Sequence, residues 1–146
     1  MELMEYHKPV LLTETVDGLN VKPDGIYVTF GGGGHSKEIL NRLGEEGRLV
    51  AFDQDEDSIV NIINDSRFLL INENFRYLKQ FLKFNSISKV DGILGDFGVS
   101  SHQFNVAERG FSTRFEAKLD MRMNKKSPFS AFDVINKYSE EKLRLV

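Results

Sequence analysis

The sequence lacks cysteine, long apolar runs and an excess of basic residues. Without cysteine there are no disulfides and no thiolate metal sites, which is usual for proteins of the cytoplasm. No stretch reaches the roughly 18 consecutive apolar residues of a membrane-spanning helix, so no membrane association is expected. The formal net charge of −3 differs from the basic balance of a general nucleic-acid binder, so any RNA contact must come from a local patch.

The N-terminus is acidic and has no apolar segment of the kind that a secretory signal peptide carries. With 146 residues, 40% of them apolar and 28% charged, the composition is that of one globular domain rather than a disordered chain. These features predict a cytoplasmic protein with a single core.

Four consecutive glycines at residues 31–34 follow a short apolar run at residues 26–28 and precede a helical pattern that ends near Leu43. This order is typical of a strand, a turn and a helix. Glycine lets the backbone adopt positive φ and lets a ligand approach without a Cβ in the way. The first turn of the following helix offers free N–H groups and the positive end of the helix dipole, which favour a nucleotide-like ligand.

Asp53 ends a second apolar run, residues 49–52, about 20 residues beyond the glycine turn. An acid at that distance accepts hydrogen bonds from a ribose in nucleotide-binding α/β units. The alternative is a flexible glycine turn beside an ordinary acidic helix cap.

Three further acids follow Asp53, but their spacing fits no calcium loop, and no metal site is expected. We expect them to cap and charge the start of a helix that runs to about Asn64. Its inward side chains are expected to be Ile59, Ile62 and Ile63.

Two more strands are predicted, at residues 68–71 and before Asp96, with a helix over residues 77–84 between them. A short helix with Leu12, Val16 and Leu19 on one face is expected, with His7 just before it as a surface histidine. Strands that alternate with helices form a parallel sheet, whose ligands lie beyond the carboxyl ends of the strands. The exits of the four strands would therefore bring together the glycine turn, Asp53, Phe75 and Asp96.

From Phe97 onward the strand–helix alternation stops and loop-like polar segments with interleaved aromatics follow. Residues 109–126 are clearly basic and include three candidate RNA contacts, Arg109, Arg114 and Arg122. Arginines beside phenylalanines can hold phosphates and stack bases, although composition alone favours a solvated loop. Two short capped helices are expected at residues 131–136 and 139–145, and the pattern is cut off at Val146.

Six motifs follow one another along nearly the whole chain. They are His7-x-Pro9-Val10-Leu11-Leu12, Gly33-Gly34-His35-Ser36, Asn74-Phe75, Val90-Asp91-Gly92-Ile93-Leu94-x-Asp96-x-Gly98-Val99-Ser100-Ser101-x-Gln103, Arg109-Gly110-Phe111-Ser112 and Leu119-Asp120-Met121-Arg122-Met123. In sequence and in order, these motifs resemble the bacterial 16S ribosomal RNA cytosine-N4 methyltransferases, the RsmH or MraW family.

The resemblance implies an α/β fold of the class I, Rossmann-like methyltransferase type that uses S-adenosyl-L-methionine. It implies methylation of a decoding-region cytosine of 16S ribosomal RNA, with the small ribosomal subunit as partner. Asp53 would accept from the ribose, Phe75 would lie against adenine, and Asp96, near the methyl group, is the candidate catalytic residue. Carried onto matching positions, the implied cofactor contacts are Gly33, Gly34, His35, Asp53, Phe75, Asp96 and Gln103.

Two departures from the family pattern have consequences. An acid and one further residue are missing between Val28 and Thr29, which tightens the turn after the first strand. Family members are also about twice as long, so the chain reads as a truncated cofactor-binding part. Residues 1–96 would form the β-α-β core and residues 97–146 the substrate-side loops.

A sheet without its last strands leaves an edge through which copies are expected to self-associate. Such a chain would have reduced or no activity. The alternative from another class is a catalytically silent remnant that binds RNA or a partner protein through residues 109–126. A nicotinamide-dependent Rossmann enzyme is a weaker alternative, because no residue suited to hydride transfer stands out.

Overall fold

The computed structural model describes residues 9–31 and 33–146. The chain divides into two compact units, Met1–Phe97 and Gly98–Val146, which we call unit 1 and unit 2. His7 lies outside the described residues. Strands and helices alternate in unit 1, and their bounds are α1 Leu12–Leu19, β1 Ile26–Phe30, α2 Gly34–Arg42, β2 Arg48–Phe52, β3 Phe68–Ile71, α3 Leu78–Phe84 and β4 Gly92–Gly95.

The four strands form a parallel sheet in the order β3-β2-β1-β4. In the register of β1, Val28 lies opposite Val50 of β2 on one side and Ile93 of β4 on the other. The sheet grows outward from β1 to β3, and the chain then returns to add β4 on the other side of β1. The switch point therefore lies between β1 and β4, and the glycine turn that follows β1 lies there.

Apolar side chains cover both faces of the sheet. Tyr27 and Leu49 point to the face that α1 and α2 cover, where Val16 and Ile39 are fully buried. The neighbouring positions along each strand, which point to the opposite face, pack with α3 in a second cluster that includes Phe52. Burial on both faces explains why β1 and β2 read as continuous apolar runs rather than as alternating ones.

The α/β fold with a parallel sheet is confirmed, and so are the four strands and the helices expected before β1, after the glycine turn and before β4. The helix expected to run to Asn64 is wrong. Glu56–Asn61 form a 3-10 helix instead, and Ile59 and Ile62 are 45% and 57% exposed. The expected cap is present, because the carboxylate of Asp55 accepts from the backbone N–H of Asp57 at 3.1 Å.

Unit 2 consists of short helices and loops. Its helices are α4 Ser101–Asn105, α5 Ala131–Lys137 and α6 Glu140–Leu143, with a 3-10 turn at Ala107–Arg109. Two expected caps are confirmed: the hydroxyl of Ser130 accepts from the backbone N–H of Asp133, and that of Ser139 accepts from Lys142. Helix α4 was missed by the sequence analysis.

Among the described strands, β3 and β4 lie at the edges of the sheet, and each pairs with one neighbour. Self-association through such an edge remains a prediction. In the described part of the chain, no helix is long and apolar enough to cross a membrane.

Arg67 connects the start of β3 to the end of α2. Its guanidinium donates to both carboxylate oxygens of Asp65, at 2.6 and 3.0 Å, and to the carbonyl of Leu43 at 2.6 Å. The hydrogen bonds from Arg67 lower the pKa of Asp65 to about 2. A carboxylate with a lowered pKa stabilises the folded state at neutral pH, and this stabilisation is lost as the carboxylate is protonated.

We therefore expect Asp65→Asn to lower the stability at pH 7. The difference from the unsubstituted protein should persist above the unfolded-state pKa of about 3.9, shrink as the pH falls toward 2, and vanish below it. Urea unfolding at a series of pH values measures this. Asp24→Asn is the matched control, because Asp24 makes no hydrogen bond or ion pair within the described residues. An Asp65→Asn deficit that is the same at pH 2.5 and pH 7 would contradict the prediction.

Candidate functional site

Buried hydroxyl groups contact the glycine turn after β1 on one side, and space remains beside its backbone at Gly31 and Gly33. The hydroxyls of Thr29 and Ser36, both fully buried, lie 3.1 Å apart, and that of Ser36 also lies 3.4 Å from the carbonyl of Gly31. Gly31 has φ +105°, and a Cβ added at Gly31 or Gly33 would meet no atom within 4 Å. The turn therefore leaves room for a ligand to approach its backbone.

His35, at the start of α2, connects two segments next to this turn. His35 is 7% exposed, with Nε2 3.2 Å from the carbonyl oxygen of Val10 and Nδ1 3.4 Å from a carboxylate oxygen of Asp96. The imidazole thus holds Asp96, whose side chain is 46% exposed, at the end of β4.

Asparagine side chains join the loops after β2 and β3. The amide of Asn72 donates to the carbonyls of Asp53 and Asp55, at 2.8 and 3.1 Å, and that of Asn74 donates to the side chain of Gln54 at 2.9 Å. One carboxylate oxygen of Asp53 accepts from the backbone N–H of Asp55 at 3.0 Å. These bonds fix the direction in which Asp53 leaves the sheet. Asn72 was missed by the sequence analysis, although its position at a strand exit is a usable signal.

Three phenylalanines cluster at the carboxyl ends of the strands. The ring of Phe75 lies 4.7 Å from that of Phe30 and 5.5 Å from that of Phe97, between ring centroids. Phe30 and Phe97 are stacked at 5.8 Å. Phe75 is still 43% exposed, so part of its surface remains open to a ligand. The exit of β1 thus carries an aromatic ring, that of Phe30.

Gln103 lies in unit 2, where it is 5% exposed. Its side-chain oxygen accepts from the backbone N–H of Ser100 at 2.9 Å and completes the capping box of α4. Its amide nitrogen lies 3.1 Å from the sulfur of Met123. These contacts hold α4 against the loop that contains Met123.

The three arginines proposed as RNA contacts differ in their surroundings. Arg109 is 4% exposed and donates to the backbone carbonyls of Arg122 and Met123, at 2.9 and 3.3 Å. Arg122 forms an ion pair with Asp120 at 2.7 Å, and its hydrogen bond lowers the pKa of the Asp120 carboxyl. Arg114 is exposed. The burial of Arg109 gives it a structural role within unit 2, because a buried guanidinium cannot reach a phosphate at the surface.

The structure therefore assembles most of the expected cofactor residues in unit 1. Strand exits and the turn at the switch point carry Gly33, Gly34, His35, Asp53, Phe75 and Asp96. An open glycine turn, a carboxylate after β2 and a partly exposed ring suit a ligand with an adenosine group, so the donor set fits S-adenosyl-L-methionine. Among the described residues, no group of three or more histidine or acidic side chains could hold a metal ion.

A parallel sheet in this order, with a glycine turn at the switch point and an acid after the second strand, defines a Rossmann-like α/β fold of the methyltransferase type. The chain belongs to the MraW methylase family, whose sequence profile matches residues 4–146. This confirms the resemblance seen in the sequence and excludes the nicotinamide-dependent alternative.

Three similar relatives are proteins called ribosomal RNA small subunit methyltransferase H. The one from Christiangramia forsetii is 73% identical over 146 residues, 99% of this chain and 48% of that protein. The one from Flavobacterium johnsoniae is 67% identical, over 98% of this chain and 48% of that protein. The one from Bacteroides fragilis strain YCH46 is 61% identical, over 94% of this chain and 46% of that protein. The chain thus spans about half the length of the curated relatives it matches.

Proposed function

We propose that this chain is the cofactor-binding part of a methyltransferase that uses S-adenosyl-L-methionine to methylate N4 of a cytosine in the decoding region of 16S ribosomal RNA. The small ribosomal subunit is the proposed partner. The observation that carries the proposal is the meeting of an open glycine turn, Asp53 and Phe75 at the switch point of a sheet in a chain of this family.

The residues of unit 1 have distinct proposed roles. The backbone at Gly33 and Gly34 approaches the cofactor closely, the carboxylate of Asp53 accepts from the ribose hydroxyls, and the ring of Phe75 lies against adenine. When bound, the cofactor supplies a methyl group activated by a sulfonium, so the protein mainly has to align the reacting groups.

Asp96 is the proposed catalytic residue. The lone pair of the cytosine amine is delocalised into the ring, which makes the amine a poor nucleophile. A carboxylate that accepts from its N–H localises the lone pair and stabilises the positive charge that develops on nitrogen. His35 is a positioning residue, because its Nδ1 lies 3.4 Å from the carboxylate of Asp96.

Asp53→Ala tests the cofactor site. We expect it to weaken the binding of S-adenosyl-L-methionine and S-adenosylhomocysteine about 10- to 100-fold, since a hydrogen bond to a charged group contributes about 1.5–3 kcal/mol. Isothermal titration calorimetry measures both affinities. Asp24→Ala, in the turn before the opposite end of β1, removes the same charge and should leave both unchanged. Equal affinities for the Asp53→Ala and Asp24→Ala proteins would overturn the proposed ribose contact.

Asp96→Asn tests the catalytic role. We expect cofactor affinity within a few-fold of that of the unsubstituted chain, and methyl transfer to small ribosomal subunits reduced about 100-fold or more, within the range of general-base effects. Transfer of a radiolabelled methyl group in single-turnover experiments measures the rate. A variant that binds the cofactor normally and methylates at the original rate would remove this role.

A second candidate function is RNA binding without methyl transfer. The contact of Phe30 and Phe97 with Phe75 favours it, because these rings occupy part of the surface that an adenine would cover. In that case unit 2 would bind RNA through residues 109–126, with Arg114 and Arg122 as contacts. RNA binding without measurable affinity for the cofactor would favour this function over the first.

A further inference from the structure

Unit 2 contains a cleft of about 600 Å³ between helix α4 and the loop after Gly110. Its lining combines aromatic rings, hydroxyls, an amide and a cation. The residues that provide these groups are Phe104, Asn105, Phe111, Ser112, Thr113 and Arg114. All of them belong to unit 2, whereas the glycine turn and the strand exits belong to unit 1.

Neutral groups hold the guanidinium of Arg114 in place. Its Nη2 donates to the side-chain oxygen of Asn105 at 2.9 Å, and its Nε donates to the hydroxyl of Ser112 at 3.3 Å. In the described part of the chain no carboxylate pairs with Arg114, and its Nη1 makes no hydrogen bond. Arg122 and Arg144, in contrast, are paired with Asp120 and Glu140. Arg114 therefore offers an oriented, uncompensated positive charge at the edge of the cleft.

Phe104 offers the stacking surface of the cleft. It is 39% exposed and lines the same cleft as Arg114, whose Nη2 lies 3.4 Å from the backbone carbonyl of Phe104. The other rings nearby are partly covered, since Arg109 lies 5.8 Å over Phe111 and Arg114 lies 5.6 Å over Phe115. A flat ring and a cation in the lining of one cleft suit a base and its phosphate.

We infer that this cleft holds one nucleotide of a single-stranded RNA, with its base on the ring of Phe104 and its phosphate on the guanidinium of Arg114. The hydroxyls of Ser112 and Thr113 lie on the same loop and add donors for the phosphate oxygens. The charge of unit 2 supports an RNA ligand: residues 98–146 hold nine lysines and arginines against six acids, whereas residues 1–97 hold ten against sixteen. The inference rests on the proposed RNA substrate and adds the residues that would hold one nucleotide of the RNA, Phe104 and Arg114.

Fluorescence anisotropy with a labelled oligocytidine of about ten nucleotides, matched to the site size of small single-strand binders, tests the inference on the whole chain. Arg114→Gln should weaken binding several-fold and reduce the slope of log K against log salt by about 0.7, the loss of one phosphate contact. Arg144→Gln removes the same charge elsewhere in unit 2 and should change the affinity and the salt dependence much less. Phe104→Leu should weaken binding at least about fivefold, and Phe104→Trp should retain it.

Three outcomes would overturn the inference. One is a chain that does not bind the oligonucleotide at low salt. Another is an equal loss for Arg114→Gln and Arg144→Gln, which would show that only net charge matters. The third is cytidine monophosphate competing as well as the oligonucleotide, which would show that the cleft takes a free nucleotide. Calorimetry with S-adenosyl-L-methionine on the same variants separates this site from the proposed function, because cofactor affinity should not change with Arg114 or Phe104.

Discussion

Replacing Gly110 with alanine is expected to destabilise unit 2 by about 2–4 kcal/mol, the sum of left-handed backbone strain and overpacking. Gly110 has φ +69°, and an added Cβ would lie 2.5 Å from the carbonyl oxygen of Lys118 and 2.6 Å from the backbone nitrogen of Asp120. Both atoms belong to the backbone of a loop that also donates from the N–H of Met121 to the carbonyl of Arg109 at 2.9 Å. This loop cannot move without breaking that bond.

Urea unfolding followed by circular dichroism measures the effect. Gly18→Ala is the matched control, because Gly18 lies in α1 and an added Cβ there would meet no atom within 4 Å. Alanine in a helix is more favourable than glycine, so the control should be stabilised by about 0.5–1 kcal/mol. A Gly110→Ala protein as stable as the original would show that the loop after Lys118 does not pack against Gly110.

The second large effect is expected for Phe52→Ala, which should destabilise unit 1 by about 3–5 kcal/mol. Phe52 is 2% exposed at the end of β2. Its ring meets those of Phe30 and Phe81 edge-on, at 6.4 and 6.0 Å between centroids. Because domains of this size are stable by only about 5–15 kcal/mol, such a loss approaches the whole stability.

Phe84→Ala makes the same chemical change where the ring is 85% exposed, at the end of α3, and should alter stability by less than about 0.5 kcal/mol. Phe52 also supports Phe30 and precedes Asp53, so we expect cofactor affinity to fall in Phe52→Ala and not in Phe84→Ala. If both variants unfold at the same urea concentration, the ring of Phe52 does not pack in the second core cluster.

The strands of unit 1 could be predicted because burial on both faces leaves continuous apolar runs, and because the glycine turn and Asp53 mark where two of them end. The helix predicted after Asp55 is wrong for a local reason. Its isoleucines have helical spacing, but β-branched residues and asparagine are poor helix formers. A 3-10 helix over Glu56–Asn61 results, and Ile59 and Ile62 stay exposed.

Arg109 shows the limit of arguments from charge. In the sequence it is one of six basic residues in a short stretch, and it reads as an RNA contact. In the structure its guanidinium satisfies backbone carbonyls 13 and 14 residues away. No local pattern encodes such a pairing, whereas Arg114, a few residues further along, remains at the surface.

Local order along the chain was enough to predict the parallel sheet, and its motifs were enough to indicate the family. The strands follow from hydrophobic periodicity and from glycine and acidic residues at strand ends, which act within a few residues of one another, whereas the family follows from the resemblance of the motifs. The pairing of His35 with Asp96, the Phe30–Phe75–Phe97 cluster and the cleft beside Arg114 depend on segments that meet through packing. Their partners are chosen by the geometry of the folded units, and this information is not present in any single stretch of sequence.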